Sequence, residues 1–349
     1  MLRLAIKFVS RHRLNSRKRV SYMNKQKGLL LLVPIYLLVV VVLGFWWSSE
    51  PDVPDLALVV EQRAGVTLSD APIGVATTAS LIELSDTLLE KPGGYLSNDL
   101  FLPGVFLDNM PSWEFGVLVQ IRDLSRVMRK DFSRSQSQSQ EDASLKLAEP
   151  QFHFDNRSWI LPASESEYRT GVAAVENYLK RLADESTPNA QFYARADNLS
   201  AWLSEVENRL GGLSRRLSES VGRPSLDLGL AGDYSAEQST SGEGFKESKT
   251  SWFDIDNVFY EARGTAWALI VILRAMEHDF AKVLGDKNAL ISLRQIRLDL
   301  EATQNTIWSP MILNGSGFGV LANHSLTMSS YISRASAAVI DLRNLLQQG

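Results

Sequence analysis

Few side chains in this chain are of a type that does chemistry by itself. There is no cysteine, so thiolate metal sites, disulfides and cysteine nucleophiles are excluded. The four histidines, His12, His153, His278 and His324, are scattered, and none belongs to a His-Glu-x-x-His zinc pattern. No phosphate-cradling glycine-lysine loop occurs. Ser316 has glycine neighbours, but Asn314 and Phe318 stand where a nucleophile elbow needs glycine. No Ser-x-x-Lys pair exists, which removes the usual penicillin-binding nucleophile.

Polar clusters are what remain, and each has a structural role to weigh beside a chemical one. Asp254, Asp256 and Glu261 resemble the start of a cation loop. Val258 and Phe259, however, occupy places where such a loop needs an oxygen ligand and a glycine. Acids at a helix start satisfy free amides, so capping is the preferred role. The run from Asn314 to Gly319 has three alternating glycines before a helix start, a form that can hold an anion on backbone amides. No cation follows until Arg334, so a turn is preferred. Asn323 and His324 sit at that helix start, where a histidine usually caps or packs. Arg263 leads a strongly apolar stretch with Trp267, Leu269, Ile270, Ile272 and Leu273, and burial there requires a carboxylate partner. The run 133–140 alternates serine with Arg134, Gln136, Gln138 and Gln140 and has no apolar face. It is a solvated extension, or a polar surface for a partner or glycan. No metal or cofactor is expected. With forty acids in the chain, no carboxylate pair for glycan cleavage stands out by spacing.

The elements that must position these residues read as helices. Leu81, Leu84 and Leu88 give a stripe over 77–91, with Thr77 or Thr78 as cap. The segment 92–112 is turn-rich, and its Phe101, Leu102, Val105, Phe106 and Leu107 predict packing onto the bundle. Val117, Ile121, Leu124 and Met128 mark the next helix. Ser164 and Glu167 form a capping-box pattern before a helix over 164–185. Over 191–221, Leu199, Val206 and Leu213 repeat every seven residues, as do Leu203, Leu210 and Leu217. Gly211 and Gly212 interrupt that helix, and close helix–helix approach would explain them. Helices follow over about 252–284, 287–308 and 321–347. In the last, Met328, Ala335 and Leu342 form a second heptad seam with Ile332, Val339 and Leu346. Only 151–161 looks extended. The fold class is therefore all-α, a bundle of about seven helices. A polar linker, 232–250, divides it into an N-terminal half (77–231) and a C-terminal half (251–349).

The N-terminus sets the location. Residues 28–47, GLLLLVPIYLLVVVVLGFWW, carry no charge and would span about 30 Å as a helix. The tail 1–27 holds nine cations and no acid, which orients it to the cytoplasm and the body to the periplasm of a bacterial inner membrane. The stretch exceeds a signal peptide's apolar region, and tryptophan stands near any cleavage point, so it reads as an uncleaved anchor. Met23 is an alternative start. Pro51, Pro54 and Pro72 mark 48–76 as a linker. The formal net charge of −4 leaves −13 on the remainder of the 349 residues, which argues against nucleic acid as a partner.

Five strings, KPGGYLSND (91–99), DNMPSWEFGVLVQIRD (108–123), FSRSQSQSQ (132–140), FDIDNVFYEARGTAWAL (253–269) and SPMILNGSGFGVLANHSL (309–326), resemble domain-of-unknown-function family 2333. The resemblance covers nearly all of 45–349 and implies a Gram-negative, single-pass protein. It brings no activity, and it draws attention to 133–140 and 314–324. Two functions remain open. One is an envelope scaffold that binds a protein partner, or a second copy through the heptad seams. The other is a hydrolase or ligand binder with a cleft between the halves, in which Arg134, Asp254, Arg263 or His324 would share a pocket.

Overall fold

The computed structural model describes residues 32–134, 140–184, 189–226, 245–309, 311–316 and 319–348. The fold is all-α. Helix α1 covers 32–47. It is followed by α2 (Leu56–Ala64), α3 (Val75–Glu90), α4 (Asn109–Val127), α5 (Ala143–Phe152), α6 (Ser164–Ala183) and α7 (Ala196–Ser218). After two four-residue strands come α8 (Ile255–Asp279), α9 (Ala281–Asp286), α10 (Leu290–Ala302) and α11 (His324–Gln347). The strands, β1 (Arg223–Leu226) and β2 (Phe245–Ser248), pair antiparallel. Among the described residues no helix is both long and apolar enough to cross a membrane. Residues 28–31 of the expected span, and the tail before them, lie outside the described residues.

All seven helices expected from the sequence are present, with ends shifted by a few residues. Helix α10 stops at Ala302 rather than 308, and α11 begins at His324. Three short helices escaped the pattern. Helix α2 lies in what reads as a linker, started by Asp55, whose carboxylate accepts from the Ala57 and Leu58 amides. Helix α5 carries Pro150 within it. Helix α9 is the detached end of the 252–284 stretch. The segment 151–161 is not extended: α5 runs through Phe152, and turns follow.

Two expected caps are filled differently. At α3 the N-cap is Gly74, and Asp279 from α8 accepts from the Thr77 amide at 2.8 Å and from Thr77 Oγ1 at 2.6 Å. A distant acid thus satisfies the helix start. Ser164 is buried, and its hydroxyl donates to the Asp155 and Ser158 carbonyls instead of capping α6.

The closest packing is between α4 and α8. A Cβ at Gly116 would lie 2.2 Å from the Glu261 carbonyl oxygen, and one at Gly264 would lie 2.1 Å from that of Trp113. Only hydrogen fits at either place. Trp113 and Trp267 meet beside the crossing at 5.1 Å between ring centres, both buried. Gly211 and Gly212 play no such part: a Cβ at either would meet nothing within 4 Å.

The heptad seams pair with each other. All twelve seam positions of α7 and α11 are buried. The helices run antiparallel, since Ser214 meets Ser329 and Ser333, while Glu207 binds Arg343. The seams are satisfied within one chain and leave no apolar stripe there for a second copy. Helices from both sides of 232–250 contribute to one apolar core.

Successive long helices alternate in direction, so the connections gather at two ends. At one end, Tyr95 and Asn98 reach the Asn156 and Ser158 carbonyls, Ser112 meets Asn257, and Asn314 reaches the Ser220 carbonyl. At the other end, Phe132, Phe192 and Phe280 cluster. Helix α1 leaves from the first: Gly44 lies against Pro103 and Leu107, and Trp47 covers Gly93. Of the apolar residues expected to pack onto the bundle, Leu107 does so, whereas Phe101, Leu102, Val105 and Phe106 are exposed. Phe101 is 75% exposed and Phe106 78%.

Gly116→Ala or Gly264→Ala is expected to destabilise the fold by about 1–3 kcal/mol, because backbone atoms must separate. Gly211→Ala and Gly212→Ala are expected to stabilise it by about 0.5–1 kcal/mol each. Chemical denaturation of the four variants checks both signs.

Candidate functional site

A cleft of about 690 Å³ opens at the α1 end, between the 96–112 segment and the start of α8. Its polar lining comes from Asp99, Asp108, Asn156, Arg157, Arg216, Asp254, Asn257 and Glu261, and Phe115 and Val258 add apolar surface. The cleft thus lies between elements that precede and follow the 232–250 segment.

One wall is held by a buried ion pair. Lys91 ends α3 and pairs with Glu114 in the first turns of α4, and both side chains are almost wholly buried. Glu114 also accepts from the Leu96 and Ser97 amides, each at 2.8 Å, and from the Ser97 hydroxyl. Burial pushes the Glu114 carboxyl above its ordinary value, and the Lys91 ammonium pulls it back. The carboxylate therefore sets the path of the 94–99 loop, which carries Asp99 into the cleft. The facing wall is α8. Arg216 from α7 donates to Glu261 through two guanidinium nitrogens, which joins α7 to the cleft floor.

Acids outnumber cations in the lining, where Arg216 is taken up by Glu261 and Arg157 faces Asp99, Asp108 and Asp254. Asp256 lies next to the lining, in sequence between Asp254 and Asn257. Burial raises the Asp256 carboxyl, and the carboxylates of Asp108 and Asp254 raise it further. Burial and Glu165 likewise raise Asp99, against the pull of Lys91. Such a surface suits a cationic or hydrogen-bond-donating ligand. Among the described residues no group of three or more acids and histidines is placed to hold a metal ion.

Of the residues singled out by sequence, Asp254 lines the cleft. It occupies the N-cap position of α8, but its side chain makes no capping bond; Asp256 accepts from the Asn257 amide. Arg263 is buried and engaged: its guanidinium binds Glu50 at 2.8 Å and donates to the Thr303 and Asn305 carbonyls. Asn314 and Asn323 hold the 313–324 segment together, and Asn323 caps α11 through the Leu326 amide. His324 Nδ1 accepts from the Leu313 amide, and the ring lies beside Phe259. Arg134 follows Phe132 at the opposite end of the bundle, so Arg134, Asp254, Arg263 and His324 do not share a pocket. Gln136 and Gln138 lie outside the described residues. Asp99, Asp108, Arg157, Arg216 and Asn257 were not legible as site residues. They come from loops and helix ends that share no sequence spacing.

Together these features define an all-helical bundle protein with an acidic surface cleft, whose N-terminal apolar helix departs beside that cleft. The chain belongs to the bacterial family described as "Uncharacterized protein conserved in bacteria (DUF2333)", whose model matches residues 19–349. The match takes in the whole of the apolar stretch 28–47. Comparison with curated proteins and with solved structures returned no match.

Two outcomes test the site. Glu114→Gln leaves the Lys91 ammonium buried without a counter-charge, and a loss of about 3–5 kcal/mol is expected. Adding Lys91→Met is expected to recover part of it, as a double-mutant cycle would show. Asp256 holds its proton to higher pH folded than unfolded, so its charge opposes folding at neutral pH and ceases to as the pH falls through the raised value. Asp256→Asn keeps the acceptor for Asn257. It is expected to raise Tm at neutral pH, with the gain vanishing below the ordinary carboxylate range.

Proposed function

We propose that this protein is a single-pass scaffold of the bacterial inner membrane, with its N-terminus in the cytoplasm and its helical body in the periplasm, where it binds an envelope protein. The observation that carries the reading is how α1 joins the body. An exposed apolar helix ends in Trp47 packed on Gly93, and three residues later Glu50 binds the buried Arg263. A flexible tether would need neither contact. This junction holds the body in a set orientation to the helix, as suits a protein that presents a surface to partners. The charge asymmetry around 28–47 supports the orientation. With both heptad seams consumed inside the chain, the acidic cleft is the surface best suited to a partner, and a basic or amide-rich segment fits it.

The cleft also supports a second reading, a ligand-binding or hydrolytic envelope protein, because it is lined from both sequence halves and holds Asp108 and Asp254 together with the raised Asp99 carboxyl. Photo-crosslinking from Phe115 and Val258 in intact cells separates the two. The scaffold reading predicts one reproducible protein adduct, absent when the photoreactive residue replaces exposed Ile291 at the far end. Adducts only to glycan or lipid would contradict it and favour the second reading. A periplasm-specific reporter fused to the C-terminus is expected to be active, and an inactive fusion would overturn the orientation.

A further inference from the structure

The apolar surface of the body is distributed unevenly. Most of its exposed large apolar residues outside α1 lie on connections at the end from which α1 departs. The 91–108 connection exposes Phe101 and Phe106, and the 153–163 connection exposes Leu161 at 91%. Phe253 precedes α8, and Trp308 and Val320 lie between α10 and α11, Trp308 at 93%. The described residues of these four connections lie at one end of the bundle. The second is bound to the first through Asn98 and Ser158. The first and third border the same cleft, and Arg263 and Phe259 of α8 hold the fourth. Scattered apolar residues on a surface need no account, but a clustered set of aromatic tips does.

Helix α1 says what covers them. Gly44 lies against Pro103 and Leu107, three residues before Trp47. At 1.5 Å per residue, Gly44 is only about 4.5 Å deeper along the helix than Trp47. The loop that carries Phe101 and Phe106 therefore stands at the depth of the last turn of α1.

We propose that the body docks on the bilayer through these four connections, which enter the interfacial region beside the anchor. The inference rests on reading α1 as a bilayer helix. Aromatic and aliphatic tips at that depth take the place of an amphipathic interfacial helix, and tryptophan is favoured there. In the cleft lining Asp99, Asp108 and Asp254 outnumber Arg157, and Arg216 is paired with Glu261, so net attraction for anionic headgroups is weak and the contact, being mainly apolar, persists at high salt. Docking also places the cleft mouth at the membrane surface, where it meets the juxtamembrane part of a partner.

Because the chain has no cysteine, single labels can be placed at will. Phe101→Cys, Leu161→Cys and Phe253→Cys, each carrying an environment-sensitive dye, are reconstituted as full-length protein into phosphatidylethanolamine–phosphatidylglycerol vesicles. Leu38→Cys in α1 and Ile291→Cys at the far end are the references. The expected result is blue-shifted emission at the three tips, with several-fold quenching by acyl-chain nitroxide lipids at low and high salt. Ile291→Cys stays unquenched. Quenching at Leu38→Cys with tips that behave like Ile291→Cys overturns docking and leaves the anchor intact. Blue-shifted tips without lipid quenching mean that protein covers this face, which also overturns it. Quenched tips with an unquenched Leu38→Cys reject the anchor, and with it the proposed docking beside α1. No quenching anywhere rejects both.

Discussion

The backbone contact between α4 and α8 is the constraint on which the other arrangements depend. Gly116 and Gly264 let each helix rest on a carbonyl of the other, with Trp113 and Trp267 closing the side of the crossing. In a helix, residues next to a contact point project to its flanks. Glu114 and Glu261 are such neighbours, and so is Arg263. The crossing therefore turns Glu114 toward Lys91, Glu261 toward Arg216 and Arg263 toward Glu50. Three ion pairs, which tie in the 91–99 loop, α7 and the segment after α1, take their places from one close approach.

The Lys91–Glu114 pair is buried and the Arg263–Glu50 pair largely so, and burying charge is a poor way to add stability. Their effect is to select geometry. Lys91 and Glu114 accept one path for the 94–99 loop, because the carboxylate also takes the Leu96 and Ser97 amides. Arg263 fills its donors with Glu50 and the carbonyls that follow α10. An apolar replacement would leave these carbonyls and amides unsatisfied and the chain free to take other paths. The cleft and the departure of α1 are thus built from the same parts.

Helices α6, α7 and α11 were legible because each buries one stripe, which 3.6-residue periodicity records directly, whereas α8, buried on all sides over 262–273, showed itself by a long apolar run. The heptads of α7 and α11 were equally plain, but a seam does not say what it faces, and here each faces the other. Glycine misled in both directions. Gly211 and Gly212 break a visible pattern and touch nothing, whereas Gly116 and Gly264 lie within strong helices and carry the tightest contact in the fold. Helix α5 was hidden by Pro150, and the cap of α3 came from Asp279, about two hundred residues away. Arg263 could be recognised as needing a partner from its apolar surroundings, but Glu50 could not be named. The cleft was invisible for the same reason: Asp99, Asp108, Arg216 and Asp254 meet only through tertiary packing. Phe101, Leu102, Val105 and Phe106 were expected to pack onto the bundle with Leu107, and only Leu107 does, because hydrophobicity alone does not distinguish burial in protein from exposure at a surface.

Native-state hydrogen exchange on the full-length chain, read by mass spectrometry, tests the central role of the α4–α8 crossing most directly. If the crossing organises the fold, amides of 113–124 and 262–273 open only with global unfolding and exchange last, while those of α5 and α10 open earlier. Exchange at the crossing as fast as in α5 or α10 would show that the fold is held elsewhere and contradict the account.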